Sequence, residues 1–210
     1  MASGGCQPAE NEHLRGKRPL SPPLAVQFHS MQSVTERAHE LLRPHIRPGD
    51  IAIDGTAGNG HDTLFLAECV GPGGKVFAFD IQKIALERTA TLLAGFRNVE
   101  LIGASHSELK REIPAEFHGR IAVAMFNFGY IPNGDRSIRT RTATSVAALG
   151  AASELLRPGG WLSAILYTGH PGGAEEAGAA EALLRSLPFV WACETSDRAN
   201  APRVWVGQSP

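Results

Sequence analysis

Three groups of residues in this sequence have types and spacing suited to chemistry. The first is Asp54-Gly55-Thr56-Ala57-Gly58-Asn59-Gly60-His61-Asp62, which follows the apolar triplet Ile51-Ala52-Ile53 and opens a helical pattern. Glycines at such a turn let the backbone approach a ligand closely and leave N–H groups free at a helix N-terminus. A tight strand-to-helix turn also uses glycine for purely structural reasons. The second is Asp80, which closes the run Phe77-Ala78-Phe79; a carboxylate there can accept both hydroxyls of a ribose. The third is Asn127-Phe128-Gly129-Tyr130, at the end of the run Ile121 to Phe126. An amine that attacks an electrophile must present its lone pair in line, with its N–H groups held by acceptors. The Asn127 side-chain oxygen and a nearby carbonyl can be those acceptors, and Tyr130 offers a face for stacking a planar base. The plainer alternative is that Asn127 and Gly129 shape a turn while Phe128 and Tyr130 pack.

Histidines recur at the same places. His61 opens the helix beside the glycine turn, His106 follows a strand in Gly103-Ala104-Ser105-His106, and His170 follows another in Tyr167-Thr168-Gly169-His170. Imidazole is the side chain best poised to take a proton near neutral pH. No ligand spacing such as HxxxH joins these histidines, so no metal site is expected.

The elements that must position these groups alternate in type. Residues 33–43 read as a helix, with Ser33 as N-cap and Glu36 as its capping-box partner. Strands are expected at 51–53, 75–79, 99–102, 121–126 and 161–167, and helices at 61–70, 82–94, 139–156 and 175–186. Pro158-Gly159-Gly160 is read as the stop of the long helix. Residues 190–194 and 203–206 form two closing strands, antiparallel neighbours because only the turn-rich SDRANAP separates them. Strands spaced by such helices mean βαβ units, right-handed crossovers and a parallel sheet covered on both faces. Ligands of such a sheet lie at the carboxyl ends of its strands.

Length and charge narrow the classes. The chain has 210 residues, 43% hydrophobic and 20% charged, enough for one domain with a real core. A net charge of −1 excludes the strongly basic footprint of a free-standing nucleic-acid-binding protein, though not an enzyme that grips RNA through a local patch. Cys6, Cys69 and Cys193 form neither a disulfide framework nor a CxxC pair. Residues 1–25, rich in Gly, Pro, Ser and charge, read as a disordered tail, mildly basic through His13, Arg15, Lys17 and Arg18; residues 26–210 are the folded domain. Without an apolar run of membrane-spanning length or a secretory h-region, the expected location is cytoplasmic. The oligomeric state stays open, a homodimer included.

Turn and Asp80 together suggest an adenosine-containing cofactor. The dinucleotide fingerprint G-x-G-x-x-G/A would put Thr63 where a third glycine or alanine belongs, which counts against NAD. The turn instead resembles the acid-x-G-x-G-x-G motif of class I methyltransferases, which bind S-adenosylmethionine. Asp54, Gly58 and Gly60 match, and Thr56 replaces the first glycine. Asn127-Phe128-Gly129-Tyr130 likewise resembles the [Asp/Asn]-Pro-Pro-[Tyr/Phe] motif of amino-methyltransferases, with both prolines replaced.

The combination DGTAGNGHDT (54–63), SH (105–106), FNFGYIPNGD (126–135) and YTGHPGG (167–173) is more specific. It resembles the rRNA methylase family, which includes the bacterial tRNA 5-(aminomethyl)-2-thiouridine methyltransferase. The resemblance covers roughly residues 28–207. It implies a Rossmann-like class I methyltransferase fold, α/β, with a seven-stranded, mostly parallel sheet, an antiparallel last strand and helices on both faces. It implies N-methylation of 5-aminomethyl-2-thiouridine at the tRNA wobble position, with rRNA or a small-molecule amine as the alternative acceptor. By the same resemblance Asp54, Thr56, Gly58, Asn59, Gly60, His61 and Asp62 belong to the methionine end of the cofactor. Asp80 and Gln82 belong to its ribose, and Ser105 and His106 to its adenine. Asn127, Tyr130, Tyr167 and His170 would face the substrate, with Asn127 touching both molecules. Arg136, Arg139 and Arg141 follow the Asn127 motif closely; they either meet phosphates at the pocket mouth or start a solvated helix.

Overall fold

A computed structural model describes residues 25–27, 33–129, 139–195 and 201–210. Its strands are β1 (Ala25–Gln27), β2 (Ile51–Asp54), β3 (Lys75–Phe79), β4 (Val99–Ile102), β5 (Ile121–Asn127), β6 (Leu156–Leu166), β7 (Val190–Thr195) and β8 (Arg203–Gln208). Its helices are α1 (Val34–Leu42), α2 (His61–Val70), α3 (Lys83–Leu92), α4 (Leu109–Glu112), α5 (Thr142–Leu155) and α6 (Gly173–Ser186).

The strands form one sheet in the order β1-β7-β8-β6-β5-β2-β3-β4. Neighbours pair in parallel except β6–β8 and β7–β8, so β8 alone of the described strands runs against the rest. Chain order runs outward from β2 through β3 to β4, then returns to β5 on the other side of β2. That reversal between β2 and β5 is the switch point at which open α/β sheets hold ligands.

Period-two alternation assigns the two faces. Ile53, Phe77, Phe126 and Trp205 point into one core with Leu109, Leu149 and Leu184 of α4, α5 and α6. Their strand neighbours Ala52, Val76, Met125 and Val206 point into the other, with Leu42 of α1 and Phe65, Leu66 and Val70 of α2. Burial on both faces explains why these strands read as unbroken apolar runs.

The expected seven strands are present, and β1 adds an eighth at the edge beside β7. Ala25, placed in the tail by its polar surroundings, begins that strand. The capping box of α1 is formed: Ser33 Oγ accepts from Glu36 N, and Ser33 N donates to the Glu36 carboxylate. Two expectations need correction. The long helix starts at Thr142 rather than 139, because Arg141 is extended (φ −132°, ψ 144°) and serves as its N-cap. Pro158-Gly159-Gly160 does not separate helix from strand. β6 already pairs with β5 at Leu156↔Ile121, bulges through the Pro-Gly-Gly turn, and resumes at Trp161↔Val123. The turn lies inside the strand because α5 runs directly into it. The short helix α4 carries too little periodicity to be read from sequence.

Candidate active site

The end of β2 is laced to both neighbours. Gly55 N donates to Met125 O on β5, and Ala57 N donates to Phe79 O on β3. Gly58 (φ 54°) and Gly60 (φ 87°) take left-handed conformations that other residues rarely adopt. A Cβ at Gly60 would also lie 3.1 Å from the Thr89 backbone of α3. The turn therefore needs glycine for its own shape.

Thr56 occupies the position where the methyltransferase motif has its first glycine, and its hydroxyl has work here. Thr56 Oγ1 accepts from Asn127 N at 2.7 Å, which ties the glycine turn to the end of β5. Asn127 Nδ2 donates to Thr35 Oγ1 on α1 at 3.3 Å. The amide nitrogen is thereby directed at α1, and Oδ1 is the acceptor of the group.

Around these residues lies a cleft of about 1220 Å³ at the carboxyl ends of β2, β3, β5 and β6. That exceeds the roughly 300–1,000 Å³ common for one small molecule, so two fit side by side. Thr56, Gly58, Asn59, His61 and Asp62 line one wall, and Asp80, Gln82, Ser105 and His106 the next. Asn127, Tyr167 and His170 line the side toward β5 and β6, together with Arg139 and Arg141. The structure thus gathers the separate histidines His61, His106 and His170 at one edge.

Two of the expected cofactor residues do not line the cleft. Asp54 is fully buried behind the turn, where its carboxylate accepts from Thr56 N at 3.0 Å and from Thr63 Oγ1 at 2.6 Å. Gly60 is buried beneath the same turn as the N-cap of α2. Both hold the turn's shape. The same Thr63 that spoils the dinucleotide fingerprint anchors Asp54. Tyr130 and Arg136 lie outside the described residues.

Two carboxylates, Asp62 and Asp80, line the β2 and β3 side of the cleft, with Asp54 buried behind. Burial raises the Asp54 carboxyl above its ordinary range, the Asp62 charge raises it further, and the Thr63 and Thr56 hydrogen bonds oppose both. Burial also raises Asp80, against N–H bonds from Gln82 at 2.8 Å and Gly58 at 2.9 Å. A cation bound beside them would favour their charged forms. His106 contrasts with them: burial lowers it to about 4, so its ring is neutral at pH 7. The ring packs edge-on against Phe128, with centroids 5.7 Å apart, and its Nε2 is buried without a partner among the described residues.

Helix α1 supplies residues that motif reading missed. His39 Nε2 donates to Asp62 Oδ1 at 2.6 Å while its ring stacks flat on Phe65 at 3.9 Å. Thr35 and His39 are four residues apart on one capped helix, hence on one face; that spacing was the available signal. Ile81 and Ile84 also line the cleft despite high exposure. Their apolar character after Asp80 gave only a weak hint.

An open sheet of this order, with a glycine-turn cleft at the switch point and an acid at the end of the next strand, defines the class I methyltransferase fold. Comparison with known proteins narrows the class. Residues 76–208 match the family described as "Putative rRNA methylase", and this chain belongs to that family. It is 40% identical over 183 residues to the tRNA (mnm(5)s(2)U34)-methyltransferase, chloroplastic, of Arabidopsis thaliana, a match spanning 81% of this chain and 66% of that protein. The crystal structure of a Clostridium thermocellum protein described as a "putative rRNA-methylase" superposes with a TM-score of 0.79 at 33% identity, covering 86% of this chain and 99% of that one. A Streptococcus mutans protein described as "a putative methyltransferase", solved in complex with SAH, gives a TM-score of 0.75 at 28% identity and covers 86% and 100%.

Proposed function

We propose that this chain is an S-adenosylmethionine-dependent RNA methyltransferase that methylates the primary amine of 5-aminomethyl-2-thiouridine at the wobble position of tRNA. The observation that carries this reading is Asn127. It ends β5 at the switch point, is bonded through its backbone to the glycine turn, and keeps an amide oxygen as acceptor in the same cleft. The name of the Arabidopsis relative, a tRNA (mnm(5)s(2)U34)-methyltransferase, agrees with an amine acceptor on a tRNA uridine. tRNA is the proposed partner, in a cytoplasmic setting.

The residues present fit the cofactor. A sulfonium and an α-ammonium group are cationic, and the turn offers Asp62 in the cleft wall with Asp54 behind it. Ribose hydroxyls suit Asp80, whose carboxylate keeps acceptor capacity beyond its backbone N–H bonds. The stretch past Asp80, with Phe79, Ile81 and Ala104, is apolar enough for an adenine. When bound, S-adenosylmethionine supplies a methyl group activated by the sulfonium charge.

The chain's own residues then have defined tasks. Asn127 Oδ1 accepts a hydrogen bond from the substrate amine, orienting its lone pair. Thr35 and Thr56 hold Asn127 in place from either side. An alkylamine is protonated near pH 7, so the site must favour its neutral form. His106 is too weak a base for that proton, since burial keeps it neutral down to about pH 4. His170, on the substrate side, is the proposed proton acceptor, Tyr167 a proposed hydrogen-bond partner of the amine, and Tyr130 the proposed stacking face.

The test uses methyl-labelled S-adenosylmethionine with bulk tRNA carrying unmethylated aminomethyl-thiouridine and, separately, with rRNA. Each product is digested to nucleosides. Label in 5-methylaminomethyl-2-thiouridine is the expected result. Label confined to rRNA, or to neither RNA, overturns the substrate assignment.

A further inference from the structure

Directly before helix α5 lies a three-residue segment, 139–141, that the proposed reaction does not use. Thr140 is its fixed point: its N–H donates to Gly129 O at 2.9 Å, and its hydroxyl donates to buried Glu176 at 3.0 Å. Ser145 Oγ also donates to Glu176, so this carboxylate is satisfied from within the fold. Arg141 has extended dihedrals. Thr140 directs its hydroxyl to Glu176, and Arg139 and Arg141 flank it on either side.

Both arginines are exposed, and neither makes an ion pair with a described carboxylate. Both line the main cleft, and both also line an adjoining depression of about 330 Å³ with Thr142, Pro171 and Gly172. They therefore form the ridge between the cleft that holds Asn127 and a second, open depression. Long cationic side chains held in register by a buried anchor suit phosphodiester oxygens, which guanidinium groups bind in bidentate fashion.

We propose that Arg139 and Arg141 form a phosphate clamp for the backbone next to the target nucleotide, with the RNA strand crossing the ridge into the smaller depression. The clamp rests on the reading of the substrate as RNA. Thr140 links it to the end of β5 through Gly129, so the grip on the backbone and the acceptor of the base share one anchor. In a protein of net charge −1 this local pair makes RNA affinity salt-dependent without general affinity for nucleic acid.

The test is binding, independent of turnover. The full chain is titrated into a fluorescent anticodon stem–loop RNA in the presence of S-adenosylhomocysteine at several salt concentrations, followed by anisotropy. Two lost contacts on a single strand reduce the slope of log affinity against log salt by about 1.4. At 0.1 M salt that is about 25-fold weaker binding for R139A/R141A, relative to a 1 M reference. R139K/R141K keeps the wild-type slope, and thermal unfolding of all three proteins verifies the fold. An R139A/R141A variant with wild-type affinity and slope overturns the clamp, as does a wild type that does not bind the RNA. A wild type that binds through the clamp but puts no label into uridine overturns the proposed reaction and leaves the clamp standing.

Discussion

Replacing Asn127 with alanine separates chemistry from folding, and the structure sets both magnitudes. Among the described residues the Asn127 side chain makes one hydrogen bond, a long one of 3.3 Å to Thr35 Oγ1. The bond that fixes the end of β5 comes from the backbone N–H to Thr56 Oγ1, and alanine keeps it. Losing the side-chain bond costs about 0.5–1.5 kcal/mol, or roughly 1–6 °C in Tm for a chain of this size. A domain stable by about 5–15 kcal/mol remains folded through that change. The loss in the transition state is larger. An aligned polar group on the reacting atom is worth about 2.7–4 kcal/mol, a factor of about 10²–10³. We expect N127A to bind S-adenosylmethionine by calorimetry and to unfold within a few degrees of wild type. Single-turnover methyl transfer, measured with labelled cofactor and saturating tRNA, should fall by that factor. A rate within about threefold of wild type, equivalent to about 0.65 kcal/mol, would refute the role given to Asn127 and the amine reading with it.

Other expectations follow from the same geometry. His39→Phe keeps the stack on Phe65 but removes the 2.6 Å bond to Asp62. KM for S-adenosylmethionine should rise by about 5- to 30-fold, which is 1–2 kcal/mol, with kcat changed far less; an unchanged KM would make the pair purely structural. Asp54 has its folded pKa raised, so the native state binds its proton more tightly than the unfolded chain does. Its contribution to stability is therefore present at low pH and lost as pH rises from about 4 through the raised value. Asp54→Asn should flatten that fall in urea midpoints of the ligand-free protein between pH 4.5 and 8; the same slope in both proteins would contradict the shift. Arg37 forks onto buried Glu194 at 2.7 and 2.9 Å, joining α1 to β7. Arg37→Met should cost about 3 kcal/mol by leaving that carboxylate unpaired, toward the lower end because Arg37 is partly exposed. R37M/E194Q should recover most of the loss in urea unfolding, and failure to do so would assign the cost to packing of α1.

Much of this protein is legible along the chain because local physics repeats there. Ile51-Ala52-Ile53 and the glycine turn, the exact bounds of α2 at 61–70, and the capping box at Ser33 and Glu36 depend on neighbours a few residues away. Asp80 and Asn127 were readable as well, because each closes an apolar strand and strand ends in a parallel sheet share one edge. The folded chain decided what depends on residues distant in sequence. Asp54 reads as a ligand contact, yet packing against Thr63 and Thr56 places it behind the turn. Thr56 reads as a defect in a glycine motif, yet its hydroxyl receives the N–H of Asn127, 71 residues away. His39 reads as one histidine of an amphipathic helix, yet only the docking of α1 on α2 brings it to Asp62. The turn at Pro158 to Gly160 breaks a helix by local rules but lies within a strand, because pairing of Leu156 with Ile121 outweighs them. Residue type and short spacing are local properties, whereas burial and partnership are set by which distant segments the sheet brings together.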